Sequence, residues 1–242
     1  MLSDMDLLGL ALLTLVASGV GTMTGFGTST IMVPVVALFL PFPVTLVLVG
    51  IVHWFGNVWK MLLFRGGFSR KLLLWFGLPG VITSFLGASL TIRTDADLLQ
   101  RLLGYLLIGY VLFLMLKPKF KLSQTPATAM TGGALSGLMA GIFGIGGAVR
   151  SAALSAFNLP AATYLFTAGA IGLVIDSSRL VTYLGEGVTL PARLLAGLLL
   201  FVPISFLGAK IGERLVKRVP AEKFRWVVAV FLFIVGVWLA VK

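Results

Sequence analysis

The chain has 242 residues, of which 59% are apolar and only 11% are charged, and its mean hydropathy is +1.08. Soluble proteins carry about 25% charged residues, so this composition excludes an ordinary soluble domain and predicts an integral membrane protein. The net charge of +11 comes mainly from Lys and Arg in short connectors between apolar runs, where they orient membrane segments, and this argues against a nucleic-acid partner.

Ten apolar runs follow one another along the chain, and they fall into two classes of length. Six of them are long enough to cross a bilayer, which needs about 20 residues, and they are 44–64, 72–91, 98–116, 161–184, 190–209 and 224–241. The other four are shorter, and they are 7–22, 29–40, 128–143 and 148–157. Asp4 and Asp6 stand where a signal peptide would carry basic residues, so we expect the first run to be retained.

The ten runs divide into two sets of five, which indicates an internal duplication. The pentapeptide SFLGA occurs at 84–88 and again at 205–209, an offset of 121 residues. An offset of 119 aligns further pairs, namely Gly25 with Gly144, Gly27 with Gly146, Pro41 with Pro160, Asn57 with Asp176 and Lys60 with Arg179. We therefore predict an N-terminal repeat, 1–121, and a C-terminal repeat, 122–242, within one membrane domain.

Basic residues are unevenly shared among the connectors, and this predicts the orientation of the chain. The connectors 65–71, 117–121 and 210–225 carry twelve Lys and Arg residues between them, whereas the alternate connectors and the chain ends carry four. Since Lys and Arg accumulate on the cytoplasmic side, these three connectors are predicted to be cytoplasmic and 185–190 external. The loop 65–71 and its repeat partner then lie on opposite sides, so the repeats are inverted.

Inverted repeats require an odd number of crossings in each half, and two arrangements meet that requirement. Each half has either five full spans, or three full spans preceded by a re-entrant or broken hairpin of two short helices. We favour the hairpin because the short runs meet at Gly-rich breaks, GFGT at 25–28 and GIGG at 144–147. Broken helices between inverted repeats are typical of transporter binding sites. The predicted fold is an all-α polytopic membrane protein with two inverted repeats of about five helical elements each.

The segments GTMTGFGTSTIMVP and SGLMAGIFGIGGAVRSAA, together with the duplicated layout, resemble the sulfite exporter TauE/SafE family of bacterial membrane proteins. The resemblance covers nearly the whole chain. It implies a transporter of small sulfur-containing anions, such as sulfite or organosulfonates, in the bacterial cytoplasmic (inner) membrane. The first half reads GFGTST where a GGG-like sequence is more typical of the family, so we expect two unequal half-sites.

The Gly-rich breaks are the first candidate for binding the anion. A short helix that begins at such a break turns unpaired N–H groups and a partial positive charge towards a ligand, and nearby hydroxyls add donors. The alternative is that these glycines only allow close helix packing. The candidate residues are Gly25, Gly27, Thr28, Ser29 and Thr30 in the first half and Gly144, Gly146, Gly147 and Ser151 in the second.

Arg150 follows GIGG closely, in a run that is otherwise apolar. An arginine at membrane depth is costly unless it is paired or hydrated, which makes it a functional candidate. Its guanidinium fork suits a sulfite or sulfonate group. The alternative is that the segment lies near the cytoplasmic face and that the side chain reaches out to the interface.

The helix 44–64 is predicted to carry a polar face, because His53, Asn57 and Lys60 are spaced at i, i+4 and i+7. Asp176 and Arg179 hold the positions equivalent to Asn57 and Lys60, so inverted symmetry brings two polar faces together. Asp176 either pairs with Arg179 or Lys60, or carries a coupled proton or cation. The alternative for Lys60 and Arg179 is that their side chains extend to the membrane interface. His53 is either a packing residue or a proton carrier.

These features predict a secondary transporter that binds a small anion near the midplane between the repeats and works by alternating access. A passive anion channel on the same architecture is the alternative. The further partners that we consider are the lipid bilayer, a coupled proton or cation, and a second copy of the chain as a homodimer. With no cysteine and a single histidine in the sequence, we expect no metal site, no cofactor and no enzymatic activity.

Overall fold

The computed structural model describes residues 3–117, 122–216 and 221–241, and for residues 216 and 221–227 it describes the backbone alone. Within these residues the fold is all-helical, as predicted, with ten helices. They are α1 (Asp4–Thr24), α2 (Ser29–Val36), α3 (Phe42–Leu63), α4 (Arg70–Ile92), α5 (Ala96–Leu116), α6 (Pro126–Phe143), α7 (Gly147–Ser155), α8 (Ala161–Gly185), α9 (Ala192–Val216) and α10 (Ala221–Val241). The predicted cytoplasmic connectors fall partly outside the described residues, at 118–121 and 217–220.

Six helices of the described ranges are long and apolar enough to cross a membrane, and they are α1, α3, α4, α5, α8 and α9. The prediction of a multi-pass membrane protein is therefore confirmed. The predicted run 224–241 falls within α10, of which Val228–Val241 is apolar.

The helix α1 is longer than the apolar run 7–22 that predicted it. It begins at a capping box, in which the backbone N–H of Asp6 donates to Ser3 Oγ at 3.2 Å and that of Ser3 donates to Asp6 Oδ2 at 2.6 Å. This cap lets helical structure start within the polar N-terminal residues. With 21 residues α1 can span a bilayer, whereas α6, the first helix of the second half, has 18 residues.

Both Gly-rich breaks separate a longer helix from a short one. The helix α1 ends at Gly25, with φ 75°, and α6 ends at Gly144, with φ 72°. Glycine adopts this left-handed conformation readily, so the chain can leave the helix there. The helices that follow, α2 and α7, have only eight and nine residues.

Each SFLGA segment packs against the first helix of the other half of the chain. Gly141 of α6 lies so close to α4 that a Cβ atom would collide with the carbonyl oxygen of Ser84. Gly208 of α9 lies similarly close to the carbonyl oxygen of Leu15 in α1. Small residues allow membrane helices to approach in this way. The helices α3 and α8 pack against each other, and this contact positions the polar residues described next.

Candidate functional site

The carboxylate of Asp176 is the centre of a buried cluster between α3 and α8. Its Oδ2 lies 2.7 Å from Nδ1 of His53 and accepts a hydrogen bond from Nδ2 of Asn57 at 2.8 Å. Its Oδ1 accepts a hydrogen bond from Nε of Arg179, also at 2.8 Å. All four side chains are at most 2% exposed. The two polar faces predicted from the sequence therefore meet in the core.

Lys60 joins this cluster through Asn57 and not through the carboxylate. Its Nζ donates to Oδ1 of Asn57 at 3.2 Å, so a chain of hydrogen bonds runs from Lys60 through Asn57 to Asp176. Of the two basic partners considered for Asp176, Arg179 is the one in direct contact. Lys60 and Arg179 are buried, so neither side chain reaches the membrane interface.

Arg150 of α7 is buried in the core while two of its donors stay unpaired. Its Nε and Nη2, which lie side by side on one edge of the guanidinium, have no hydrogen-bond partner among the described residues. The side chain lies within electrostatic range of Asp176, Arg179 and Lys60. Its burial is inconsistent with the alternative in which Arg150 reaches out to the interface.

Arg179 presents its terminal nitrogens to the second Gly-rich break. Its Nε is bound to Asp176. In the described part of the chain Nη1 and Nη2 make no hydrogen bond of good geometry, although the guanidinium lies within hydrogen-bonding range of the Tyr183 hydroxyl. Nη1 lies 3.4 Å from the position of a Cβ atom on Gly144 and 3.5 Å from that of one on Gly50. This end of the guanidinium therefore fits against backbone that carries no side chain.

His53 approaches the first Gly-rich break in the same way. A Cβ atom on Gly27 would collide with Nε2 of His53, and this nitrogen is buried without a hydrogen-bond partner among the residues described. Because Nδ1 faces the Asp176 carboxylate, it carries the proton of the neutral imidazole, and Nε2 is left as an acceptor. Ser29, in the first turn of α2, is a further buried residue whose hydroxyl is unpaired.

The charges of the buried cluster do not balance. Arg150 and Arg179 supply two positive charges, Lys60 supplies a third when it is protonated, and Asp176 supplies one negative charge. The sequence has seven other acidic residues, and all of them lie near chain ends or in connectors: Asp4, Asp6, Asp95, Asp97, Glu186, Glu213 and Glu222. A core with excess positive charge and unpaired guanidinium donors is suited to bind an anion.

The sequence model of the family described as sulfite exporter TauE/SafE matches residues 10–239, which is nearly the whole chain. The chain belongs to this family. No curated protein and no solved structure gives a significant match to it. Membership confirms the resemblance seen in the Gly-rich segments, and it implies membrane transport as the class of function.

In this TauE/SafE family member the two Gly-rich breaks touch each other. Ser151 Oγ donates to the carbonyl oxygen of Gly25 at 2.7 Å. A Cβ atom on Gly147 would collide with the carbonyl oxygen of Phe26. The breaks of the two halves thus cross next to the buried cluster, and at Gly147 glycine is required by this close approach.

The remaining residues predicted at the breaks mostly bind other parts of the protein. The hydroxyl of Thr28 lies 3.4 Å from that of Ser18 in α1, and the hydroxyl of Thr30 donates to the carbonyl of Phe26 at 2.9 Å. A Cβ atom on Gly146 would collide with the carbonyl oxygen of Ser136. Close packing therefore explains Gly146 as well, which supports the packing alternative for that glycine.

Tyr164 of α8 belongs to the site but was missed by the sequence reasoning. A Cβ atom on Gly25 would lie 2.9 Å from its hydroxyl oxygen, and the hydroxyl is bonded to Ser151. The ring is also within electrostatic range of Arg150. Position 164 is equivalent to Thr45 at the offset of 119, and a tyrosine near the start of an apolar run usually anchors a helix at the interface. No sequence signal distinguishes it from such an anchor.

Proposed function

We propose that this family member is a secondary transporter of small sulfur-containing anions and that the anion binds in the core between α3, α7 and α8. One observation carries the proposal: Arg150 and Arg179 are buried with unpaired donors beside a single carboxylate. A buried charge without a partner costs about 3–5 kcal/mol. A bound anion would remove that cost by supplying the missing partner.

The chemistry of the unpaired donors supports an oxyanion as the ligand. Nε and Nη2 of Arg150 form the edge of the guanidinium that binds two oxygens of one group at once. Nη1 and Nη2 of Arg179 form a second such pair. The first turns of α2 and α7 lie beside the crossing breaks, and each helix start adds a partial positive charge of about half a unit.

Helix pairing supports two repeats that are related by inversion. The pairs α4–α6 and α1–α9 correspond to each other when the first five helices are matched with the last five, and both pairs pack closely. The pairs α3–α8 and α5–α10 each join equivalent helices. We infer from the basic connectors that 65–71 is cytoplasmic and 185–190 external, in the cytoplasmic membrane of a bacterium.

Two hollows at equivalent positions of the halves support alternating access. One has a volume of about 810 Å³ and lies between the start of α1, the end of α2 and the start of α9, with Asp6, Leu40 and Arg193 in its lining. The other has about 280 Å³ and lies between the starts of α6 and α4 and the chain after α7, with Thr125, Leu72 and Leu159 in its lining. The predicted topology assigns them to opposite sides of the membrane. Hollows of unequal size on the two sides are consistent with a core that is approached from one side at a time.

His53 and Asp176 are the residues through which a proton could be coupled to transport. His53 has Nδ1 at the carboxylate and an unpaired Nε2 beside Gly27, so a second proton would turn Nε2 from an acceptor into a donor. His53→Gln keeps a polar side chain that does not titrate. We expect this variant to bind the anion but to lose the acceleration of uptake by a proton gradient.

The test is uptake of sulfite, sulfate, organosulfonates and carboxylates into proteoliposomes, with and without a proton gradient. Saturable uptake of sulfur oxyanions that responds to the gradient supports the transporter. Non-saturating flux that follows only the membrane potential would favour the passive channel instead. If none of these anions binds or crosses the membrane, the proposed function is wrong.

A further inference from the structure

We infer that the core site selects a doubly charged oxyanion over a singly charged one of the same shape. This inference rests on the proposed function and narrows it by the charge of the substrate. It follows from the number of charged groups in the core, their burial and the donors that they leave unpaired.

The protein part of the site carries an excess of two positive charges when Lys60 is protonated and of one when Lys60 is neutral. Lys60, Arg150 and Arg179 are each at most 1% exposed, and Asp176 is 2% exposed, so water does not screen any of them directly. In such surroundings the interaction between charges is several times stronger than in water. A dianion cancels the excess while Lys60 stays protonated. A monoanion either leaves one buried positive charge without a counterion or requires Lys60 to lose its proton.

The neutral polar residues around the cluster do not alter this balance. Tyr183 is buried, and its hydroxyl donates to the carbonyl oxygen of Gly141, so it keeps its proton. His53 is either neutral or positively charged. Tyr164 makes its hydrogen bond with Ser151 and carries no charge as a phenol. Each change of protonation that His53 can undergo therefore increases the positive excess.

The unpaired donors define the shape of the ligand but not its charge. Among the described residues, four guanidinium nitrogens make no hydrogen bond of good geometry, namely Nε and Nη2 of Arg150 and Nη1 and Nη2 of Arg179, and the Arg179 guanidinium has only the Tyr183 hydroxyl within range. Two donor pairs fit a ligand with three or more oxygens on one centre better than a carboxylate with two. Sulfate and methanesulfonate both meet this condition, and they differ by one oxygen and one unit of charge. They are therefore similar in size and shape, and the Lys60 variants separate the effect of charge from that of the additional oxygen.

Lys60 allows the positive excess to be changed without breaking the ion pair of Asp176. Its ammonium bonds to Asn57 and does not touch the carboxylate, which keeps His53 and Arg179 as direct partners. Lys60→Met removes one charge with a side chain of similar length. Lys60→Gln also removes the charge but keeps an N–H donor for Asn57. It replaces Lys60→Met in the experiment if the methionine variant does not fold.

The experiment measures the dissociation constants of sulfate and methanesulfonate for the protein in lipid nanodiscs at about pH 6, which favours the protonated form of Lys60. We expect the parent to bind sulfate at least about 10-fold more tightly, which corresponds to about 1.4 kcal/mol. In Lys60→Met or Lys60→Gln we expect this ratio to fall by about 10-fold or more, because the affinity for sulfate falls more than the affinity for methanesulfonate. Lys210→Met is the control, since Lys210 is exposed on α9, and it should leave the ratio unchanged.

The possible results separate this inference from the proposed function. If the parent binds both anions equally, or if the Lys60 variants keep the full preference for sulfate, charge selection is overturned while anion binding stands. If the parent binds neither anion and no other anion of the uptake screen, the proposed function fails and the inference fails with it.

Discussion

Nδ2 of Asn57 lies 2.8 Å from Oδ2 of Asp176, and the two residues stand 119 positions apart, the same offset that aligns the two Gly-rich breaks. The hydrogen bond therefore joins equivalent positions of the two halves at the contact of α3 with α8. One half supplies an amide and the other a carboxylate, so the centre of the molecule is asymmetric although its layout is duplicated. Because the amide is neutral, Asp176 is left as the one carboxylate among the described core residues, together with three buried basic side chains.

Asp176→Asn is expected to destabilise the protein strongly. The carboxylate has direct contacts with His53, Asn57 and Arg179, and its loss leaves the buried Arg179 without a counterion. Breaking a buried ion pair in this way costs about 3–5 kcal/mol. Thermal unfolding of the detergent-solubilised protein measures the effect. Asp97→Asn is the control, because Asp97 is exposed in the first turn of α5, and a similar loss in both variants would show that the cluster has no special role.

The sequence predicted the cluster because its residues recur at helical spacing. His53, Asn57 and Lys60 are unusual polar residues in an apolar run, and the repeat offset locates Asp176 and Arg179 opposite to them. The partners within the cluster could not be predicted. That Lys60 bonds to Asn57, and Arg179 to Asp176, depends on the distance and rotation of two helices, which are set by the packing of many side chains.

The glycines of the breaks show why sequence could not separate binding from packing. Gly146 and Gly147 come close to carbonyl oxygens of Ser136 and Phe26, which are distant in sequence, and only the fold reveals these contacts. A substitution such as Gly146→Leu would therefore disturb packing and could not report on anion binding alone.

The extension of α1 beyond its apolar run has a local cause, the cap at Ser3, which can be recognised as a pattern in retrospect.

Arg150→Lys and Arg150→Ala are expected to weaken anion binding to different extents. Lysine keeps the charge but loses the paired Nε and Nη2 donors, so we expect a loss of about 10-fold, or about 1.4 kcal/mol. Alanine loses the charge as well, and we expect about 100-fold or more. Titration with sulfite and a few sulfonates in nanodiscs measures both. Arg193→Ala is the matched control, because Arg193 is partly exposed and pairs with Asp4 far from the cluster. Unchanged affinity in Arg150→Ala would show that the anion binds elsewhere in the protein.

Introduced cysteines are expected to show that the loops after α3 and α8 lie on opposite sides of the membrane. The native sequence has no cysteine, so each single variant has one reactive thiol. Ser69 is a poor site because its side chain caps α4, whereas Arg70 and Glu186 are exposed. With a membrane-impermeant maleimide on intact cells, we expect Glu186→Cys to be labelled and Arg70→Cys to react only after lysis. Labelling of both from the same side would end the inverted-repeat interpretation.

Gly141→Ala and Gly208→Ala are expected to destabilise the protein by similar amounts, because each glycine stands where the helices of one of two corresponding pairs, α4–α6 and α1–α9, approach each other closely. In each case the added Cβ would collide with a backbone carbonyl oxygen, that of Ser84 for Gly141 and that of Leu15 for Gly208. Backbone cannot rotate away as a flexible side chain can, so the paired helices must separate, at a cost of about 1–3 kcal/mol or more. Thermal unfolding in detergent measures this loss.

Gly9→Ala is the matched control for these two variants. Gly9 lies in α1 with nothing within 4 Å of an added Cβ atom, and alanine favours a helix by about 0.8–1 kcal/mol over glycine. We therefore expect Gly9→Ala to keep or raise the midpoint of unfolding while Gly141→Ala and Gly208→Ala lower it. If all three substitutions had the same effect, the close approach at Gly141 and Gly208 would not be what stabilises the pairs α4–α6 and α1–α9.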